Sequence, residues 1–152
     1  MQPAKIIERI DWAEGLWSLR LEATVDNFVP GRFVNVGLKR DGEVVRRSYS
    51  LGSAPGAPPE LYLVLVPGGA LTPALYDKRE GDEVLLSPRA SGFFTLDEVP
   101  EARHLWLLAT GTGVAPYVSM LREGEALRRF DEVVGVHGRR RLADPGYRDE
   151  LQ

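Results

Sequence analysis

Short stretches in which apolar and polar residues alternate occupy the first hundred positions of the chain. Successive side chains of a β-strand point to opposite faces, so this alternation is typical of strands with one buried face. Turn-forming residues separate the stretches, at Pro30-Gly31, Asp41-Gly42, Ala54-Pro55-Gly56 and Gly81-Asp82. The pattern predicts six strands, at Lys5–Ile10, Leu16–Ala23, Phe33–Leu38, Val44–Leu51, Leu61–Val66 and Glu83–Leu86. Their regular spacing favours a closed barrel or a sandwich.

One helical pattern, TPALYDKREG from Thr72 to Gly81, lies between the last two of these strands. Thr72 is predicted as the N-cap, Pro73 suits the first helical position, and Gly81 follows the last turn. Unpaired N–H groups at a helix start attract anions, and the preceding Gly68-Gly69 allows a ligand close to the backbone. The helix start is a candidate anion site, although a connecting helix with a capping threonine explains the same residues.

The stretch VVRRSYSLGSAPG, Val44–Gly56, carries the second candidate group. Arg47 and Tyr49 are two residues apart and therefore share one face of the predicted strand. A guanidinium binds phosphate through two parallel hydrogen bonds, and a diphosphate is the group that uses both an arginine and a helix start. A surface ion pair for Arg47 and a half-buried core position for Tyr49 are the alternatives that the pattern leaves open.

The pattern changes near Pro100. An apolar run at Leu105–Ala109 is followed by the turn TGTGVAP, Thr110–Pro116, by a helical pattern and by a second apolar run at Val133–Val136. Strand, turn, helix and strand form a βαβ unit, the beginning of a doubly wound α/β sheet. Two strands and one helix cannot close such a domain, so we expect that the chain is truncated or that something else completes the domain.

The turn and the end of this unit carry candidate nucleotide-binding residues. Glycines between a strand and a helix cradle phosphate in dinucleotide-binding folds, but the spacing here is G-x-G-x-x-P, and an ordinary strand-to-helix turn fits equally well. The segment HGRRRLAD, His137–Asp144, follows the second apolar run. Arginines at this point favour the 2′-phosphate of NADP over the ribose hydroxyls of NAD, and a solvated basic loop is the alternative.

Composition narrows the function classes. The 152 residues carry a formal net charge of −3, which gives no general attraction to nucleic acid or to anionic membranes. Cysteine is absent and histidine occurs only at His104 and His137, so thiolate metal sites are excluded and a histidine-rich one is not expected. No stretch matches a signal peptide or a membrane helix. We expect a soluble cytoplasmic protein without a nucleic-acid or membrane partner.

Taken in order, the motifs resemble those of the ferredoxin/flavodoxin–NADP reductase family, and of its bacterial branch in particular. The resemblance runs through FVPGRF, RSYS, VPGGALTP, EGDEV, SGFFTLDEVP, LLATGTGVAPYVSML and HGRRRLADPGY. R-x-Y-S followed about sixty residues later by G-T-G-x-x-P is a specific pair. The resemblance implies a mainly β fold, in which a six-stranded antiparallel Greek-key barrel at residues 1–99 binds FAD. Residues 100–152 then form the first βαβ unit of an incomplete α/β domain that binds NADP.

The resemblance also implies roles for individual residues on the flavin side. Arg47 is expected to contact the FAD diphosphate, Tyr49 to pack on the isoalloxazine ring, and Ser50 to hydrogen-bond near flavin N5. Tyr49 and Ser50 are thereby assigned to catalysis, in support of the flavin. Further FAD contacts are expected from Ser48, from Leu63, Val64 and Val66 along the ring and ribityl chain, and from Ala70, Leu71 and Thr72 around the diphosphate.

On the NADP side, the resemblance implies that Thr112 reaches the flavin and that Gly111 and Gly113 leave room for the nicotinamide nucleotide. Arg140, assisted by Arg141, is expected to bind the ribose phosphate. The expected function is an FAD-dependent oxidoreductase, monomeric when complete, that exchanges electrons between NADPH and a ferredoxin or flavodoxin by hydride transfer at flavin N5. A flavin reductase, an oxygenase reductase component and a non-catalytic nucleotide-binding barrel remain the alternatives.

Overall fold

A computed structural model describes residues 1–141 together with residues 147 and 151. Six antiparallel strands form its main body: β1 (Gln2–Ala13), β2 (Leu16–Glu22), β3 (Phe33–Arg40), β4 (Glu43–Ser50), β5 (Glu60–Val64) and β6 (Glu83–Leu86). They lie in the order β4-β3-β6-β1-β2-β5. An antiparallel bridge between Leu51 and Leu61 joins the two edges of this sheet, so that it closes into a barrel. The predicted mainly β fold with a six-stranded antiparallel sheet is confirmed.

The alternation in the sequence fills the barrel with one face of each strand. In β2, for example, Trp17, Leu19 and Leu21 are completely buried. β6 is the last of the six strands in the chain, yet it inserts between β3 and β1. Three of the five neighbouring pairs in the sheet, β3–β6, β6–β1 and β2–β5, are therefore not neighbours in sequence, as in the expected Greek-key arrangement.

β5 ends earlier than predicted, at Val64 instead of Val66. The N–H of Val66 donates to the hydroxyl of Thr72 at 3.0 Å and not to a neighbouring strand. The chain leaves the sheet here because a side chain supplies the acceptor that a strand would otherwise provide.

The short helix α1 (Thr72–Tyr76) corrects the prediction of a Thr72 N-cap. Leu71 occupies the N-cap position without a side-chain capping bond, and Thr72 is the first helical residue, so Pro73 follows one position later than expected. The Thr72 hydroxyl is used by the Val66 N–H and does not cap its own helix. Leu71 and Leu75 belong to the barrel core, so this helix is packed against the barrel.

The second unit begins after a 3-10 turn at Leu96–Glu98. β7 (His104–Thr110) and β8 (Glu132–Gly138) form a two-stranded parallel sheet, and a 3-10 turn at Gly111–Val114 leads from β7 into α2 (Ala115–Glu123). Gly124, with a left-handed φ of +94°, ends α2 and separates it from α3 (Glu125–Arg129), so the single predicted helical pattern forms two helices. The βαβ order is as expected, while the division at residue 99 stays a prediction. No helix in the described part of the chain is long and apolar enough to cross a membrane.

Candidate functional site

Strand β4, at one end of the strand order, carries Arg47 and Tyr49 on one face. In the register with β3, Tyr49 lies opposite Val34 and Arg47 lies opposite Val36, and directly paired residues share a face. Tyr49 packs against the barrel core, while the Arg47 side chain is exposed. Burial raises the pKa of the Tyr49 phenol, and the nearby positive charge of Arg47 offsets part of that rise. The phenol is therefore neutral at physiological pH and lies close to a guanidinium.

The Arg47 guanidinium retains most of its hydrogen-bonding capacity. Its Nη1 donates to the carbonyl of Arg46 at 2.8 Å, and no carboxylate in the described part of the chain forms an ion pair with it. A guanidinium carries five N–H donors, so several remain for an anion. This arrangement does not match the alternative in which Arg47 only completes a surface ion pair.

The other two residues of RSYS are placed differently from each other. The Ser48 hydroxyl lies on the opposite face of β4 and donates to Oδ1 of Asn35 at 2.9 Å. Ser50, at the end of the strand, is half-buried and lies opposite Phe33. Ser48 and Ser50 both alternate with Tyr49, so their side chains leave β4 on the opposite face, and Ser50 is the one at the end of the strand.

The residues predicted along β5 and the following loop divide into exposed and buried side chains. Val64 and Val66 are 43% and 50% exposed, so they offer apolar surface to a ligand. Leu63 and Leu71 are buried in the barrel core, so only their backbone groups are available. The sequence pattern could not separate Leu63 from Val64, because β5 is buried on both faces up to Leu63 and its burial does not alternate.

The loop between β5 and α1 is a tight, preformed turn. The Gly69 N–H donates to the Val66 carbonyl at 2.9 Å, and Gly68 has a left-handed φ of +73°. A Cβ atom on Gly69 would lie 2.9 Å from that same carbonyl oxygen, so the turn requires glycine there. A cleft of about 680 Å³ lies between α1 and the β3–β4 hairpin, with Ala70 and Leu71 on its wall. Arg47 and Tyr49 do not line that cleft, so the candidate site lies beside these two side chains and not in the cleft.

The second group of predicted residues gathers at one edge of the β7–β8 sheet. Thr110 lies opposite Gly138 in the parallel register, so the Gly111–Val114 turn and the exposed Arg140 and Arg141 follow the carboxyl ends of adjacent strands. Ligands of α/β sheets bind at this edge. Within the described part of the chain, no atom beyond the adjoining residues lies within 4 Å of the positions where Gly111 and Gly113 would carry a Cβ, which leaves open space at the turn.

His137 ties the end of β8 to the glycine turn. Its Nδ1 accepts from Nε of Arg139 at 3.2 Å, so in the neutral ring Nε2 carries the proton and donates to the Gly111 carbonyl at 2.8 Å. The backbone of the turn is thereby fixed from the neighbouring strand. Of the HGRRRLAD segment, residues 142–144 lie outside the described residues.

Helix α2 brings the two groups together. The Ser119 hydroxyl donates to the Ser53 carbonyl at 2.6 Å, and Nη1 of Arg122 donates to the Gly52 carbonyl at 3.0 Å. Gly52 and Ser53 lie two and three residues beyond Ser50, the last residue of β4. Val114, the last residue of the glycine turn, packs in one cluster with Tyr62 of β5. The glycine turn therefore lies beside β5, close to the end of β4 that carries Tyr49 and Ser50.

Sequence reasoning missed the charged cluster at this junction. Glu60 is 2% exposed and interacts with Arg122 and Tyr147, which lie 62 and 87 residues further along the chain. Nothing in the local pattern around Glu60 indicates such distant partners, because a glutamate at the start of a strand is ordinarily solvated. A single sequence carries no signal that would have found this cluster.

Comparison with known proteins finds relatives that are named as NADP reductases. A protein named flavodoxin/ferredoxin–NADP reductase from Escherichia coli (strain K12) is 45% identical over 149 residues, which cover 97% of this chain and 60% of that protein. A ferredoxin NADP+ reductase from Neisseria gonorrhoeae, crystallised with bound FAD and NADP, matches with a TM-score of 0.91 at 27% identity. That match covers 99% of this chain and 62% of the other. No family model matches the chain.

A further solved structure widens the range of activities among the relatives. Phthalate dioxygenase reductase, described as modular for electron transfer from pyridine nucleotides to [2Fe-2S], matches with a TM-score of 0.81 at 25% identity, over 99% of this chain and 47% of that one. The chain thus spans less than two thirds of each of these relatives. The resemblance inferred from the motifs is confirmed: over nearly all of its length, the chain is homologous to the flavodoxin/ferredoxin–NADP reductases.

Proposed function

We propose that this chain is the FAD-binding part, with the beginning of the NADP-binding part, of an oxidoreductase that exchanges electrons between NADPH and a ferredoxin or flavodoxin. The observation that carries the proposal is the exposed Arg47 guanidinium next to the half-buried Tyr49 ring, on one face of β4. The names of the relatives support the reaction and the acceptors, and the cofactors of the Neisseria structure support FAD and NADP. The cytoplasmic location and the monomeric state stay predictions.

The described residues fit FAD in both charge and shape. The free donors of Arg47 match a diphosphate, and the Tyr49 ring with the exposed Val64 and Val66 matches an aromatic ring system and its chain. The bridge between Leu51 and Leu61 places β5 beside the end of β4, and the tight turn at Gly68 and Gly69 follows β5 in the chain. When bound, FAD supplies the hydride-exchanging chemistry at its N5 atom.

In this proposal the protein residues position the cofactor and shield it from water. Arg47 holds the diphosphate, Tyr49 holds the ring through stacking, and Ser50 donates a hydrogen bond at the ring edge. Val64 and Val66 exclude water from the ring and chain, while backbone groups of Ser48, Leu63, Ala70, Leu71 and Thr72 complete the enclosure. On the opposite side Thr112 approaches the ring, Gly111 and Gly113 leave the open space for a nicotinamide, and Arg140 and Arg141 hold the ribose phosphate.

An oxygenase reductase component is the second candidate, and the match to phthalate dioxygenase reductase favours it specifically. The flavin-side residues are common to both proposals, so the acceptor decides between them. Steady-state reduction of ferredoxin, flavodoxin, a [2Fe-2S] protein and free flavin, measured side by side, ranks the acceptors directly. Flavin as the preferred acceptor would instead indicate a flavin reductase.

Adjacent arginines on opposite faces of β4 provide the test of FAD binding. Arg47→Ala should weaken FAD binding by about 10- to 100-fold, because a charge-assisted hydrogen bond to phosphate contributes about 1.5–3 kcal/mol. Arg46→Ala is the matched control, since Arg46 points away from Tyr49, and its FAD affinity should equal that of the unchanged protein. Titration of FAD fluorescence against each protein measures the affinities. Equal affinities in all three proteins would refute the diphosphate role, and no binding at all would favour a non-catalytic barrel.

A further inference from the structure

A buried carboxylate with three side-chain partners from distant parts of the chain lies where the barrel meets the second unit. Oε2 of Glu60, on β5, accepts from Nε of Arg20, on β2, at 2.7 Å. Its Oε1 accepts from Nη1 of Arg122, on α2, at 3.1 Å and from the hydroxyl of Tyr147. Arg20 also pairs with Glu8 of β1 at 2.6 Å, so the two glutamates and two arginines of the cluster balance in charge.

The same residues hold the backbone that follows the RSYS strand. The Gly52 N–H donates to the Glu60 carbonyl at 2.9 Å, and the Glu60 N–H donates to the Ser53 hydroxyl at 3.1 Å. From the other side, Arg122 and Ser119 donate to the carbonyls of Gly52 and Ser53. Residues of α2 and β5 therefore hydrogen-bond from two sides to the short segment Gly52-Ser53, which begins two residues beyond Ser50.

Directional and non-directional contacts have different effects at this junction. Tyr62, Val114, Ala115 and Val118 form the apolar part of the contact. Apolar contact is non-directional and tolerates sliding of one surface on the other. A buried carboxylate, in contrast, is stabilised only when each donor sits within hydrogen-bonding distance, because its desolvation is otherwise uncompensated. The polar cluster is therefore the component that can fix one relative orientation.

We propose that Glu60 and Arg122 are positioning residues, which fix α2, and with it the Gly111–Val114 turn, at one orientation relative to Arg47, Tyr49 and Ser50 on β4. The role of these two residues in fixing the orientation of α2 follows from the contacts alone. Its consequence for hydride exchange rests on the proposed function: a nicotinamide at the turn meets a ring on Tyr49 at the correct distance only if this orientation holds. Misplacement by about 1 Å is enough to lower such a rate by about 100-fold.

The absence of cysteine makes the orientation directly measurable. Spin labels on Glu43→Cys and Leu127→Cys, at exposed positions of β4 and α3, report the distance between barrel and second unit. Labels on Glu43→Cys and Glu22→Cys report the barrel alone. In Arg122→Met the first distance distribution should broaden about twofold, because one directional partner of the buried carboxylate is lost, and the second should not change. Arg122→Lys, which keeps the charge, should give an intermediate width.

Arg128 provides the matched control arginine. It forms its ion pair with Glu123, in the same unit, at 3.3 Å, so Arg128→Met should leave both distance distributions unchanged. In the FAD-loaded protein, Arg122→Met should lower kcat for reduction by NADPH by about 10- to 100-fold, with the FAD Kd and the KM for NADPH little changed. Arg122→Lys should recover part of kcat.

The two proposals fail in different ways. An unchanged distance between the units in Arg122→Met, or equal broadening within the barrel, would overturn the positioning role even if FAD binds normally. A protein that never binds FAD would overturn the proposed function, while the distance measurements, made without FAD, would still decide the positioning role. If Arg122→Met does not fold, the widths and rates of Arg122→Lys decide the question in the same way.

Discussion

The barrel and the β7–β8 sheet bury their apolar residues to different extents. In β2 of the barrel, Trp17 and Leu19 are completely enclosed by the closed sheet. In β7, Leu105 and Leu107 pack in one cluster with residues of α2 and α3, but Trp106 and Leu108 on the other face are 61% and 62% exposed. Parallel sheets are usually covered on both faces, and within the described residues this one is covered on a single face.

The difference indicates which unit determines stability and which depends on its neighbour. A closed barrel has no free edge and buries its own core, so it supports itself. The β7–β8 sheet has two strands and one covered face. Its stability therefore depends in large part on contacts with the barrel. The residues proposed for FAD lie mainly on the self-supporting unit, whereas the residues proposed for NADP lie on the dependent one.

Two tryptophans allow a direct test of this comparison, and it has the largest expected effect. Trp17→Ala should lower the free energy of unfolding by about 3–5 kcal/mol, because it removes a fully buried ring and leaves a cavity in the barrel. Trp106→Ala should change that free energy by less than about 0.5 kcal/mol, because the ring is mostly exposed. Urea unfolding followed by circular dichroism measures both.

The control for the tryptophan pair is Trp17→Phe. No hydrogen-bond partner for the Trp17 indole N–H occurs among the described residues, so phenylalanine keeps most of the buried surface without leaving a new polar group unpaired. Its cost should lie well below that of Trp17→Ala. Similar costs for Trp17→Ala and Trp106→Ala would show that the two sheets are equally self-supporting and would contradict the comparison.

The sequence could predict the barrel well because alternation is a local signal. β6 has the predicted bounds, and β2, β3 and β4 differ from prediction by two residues or fewer at each end. Tyr49 was placed beside Arg47 by the two-residue repeat, and the register confirms a shared face. Features that do not follow from alternation could not be predicted in this way: the Thr72 hydroxyl bonded to Val66 across a loop, the burial of Leu71, and the Glu60 cluster with its distant partners.

Glu60 gives the second test, since it links the two units of the comparison. Burial tends to raise the pKa of its carboxyl, but hydrogen bonds from Tyr147 and Arg20 and the charge and hydrogen bond of Arg122 outweigh burial and hold that pKa below its usual range. Because the pKa is lowered in the folded protein, the carboxylate stabilises the fold at pH values above 4.5, the pKa of the same group in the unfolded chain. This contribution is lost as the pH falls through the folded pKa. The link is therefore present at neutral pH and weakens in acid.

Glu60→Gln should lower the free energy of unfolding at pH 7 by about 2–3 kcal/mol, because hydrogen bonds to a charged group are replaced by weaker ones. The gap in unfolding free energy between this variant and the unchanged protein should narrow below the unfolded pKa of 4.5, where the carboxyl of the unfolded chain protonates, and should be smallest once the pH has fallen through the lower folded pKa. Urea unfolding at a series of pH values measures the gap. A gap of constant size at every pH would mean that the carboxylate charge does not link the two units.

The smallest effect on stability is expected at the open face of β7 and β8, where Trp106 and Leu108 lie beside Val136. The double variant Trp106→Gln/Leu108→Gln should change the free energy of unfolding by less than about 0.5 kcal/mol, because these side chains gain little burial on folding. The same change should reduce self-association at high protein concentration, since a contiguous exposed apolar face is adhesive.

Val44→Gln, at a barrel position that is 42% exposed, is the control and should alter neither property. Sedimentation velocity across a concentration series measures association. If the unchanged protein and the double variant sediment alike at every concentration, the open face has no adhesive consequence, and the contrast with the barrel is one of burial alone.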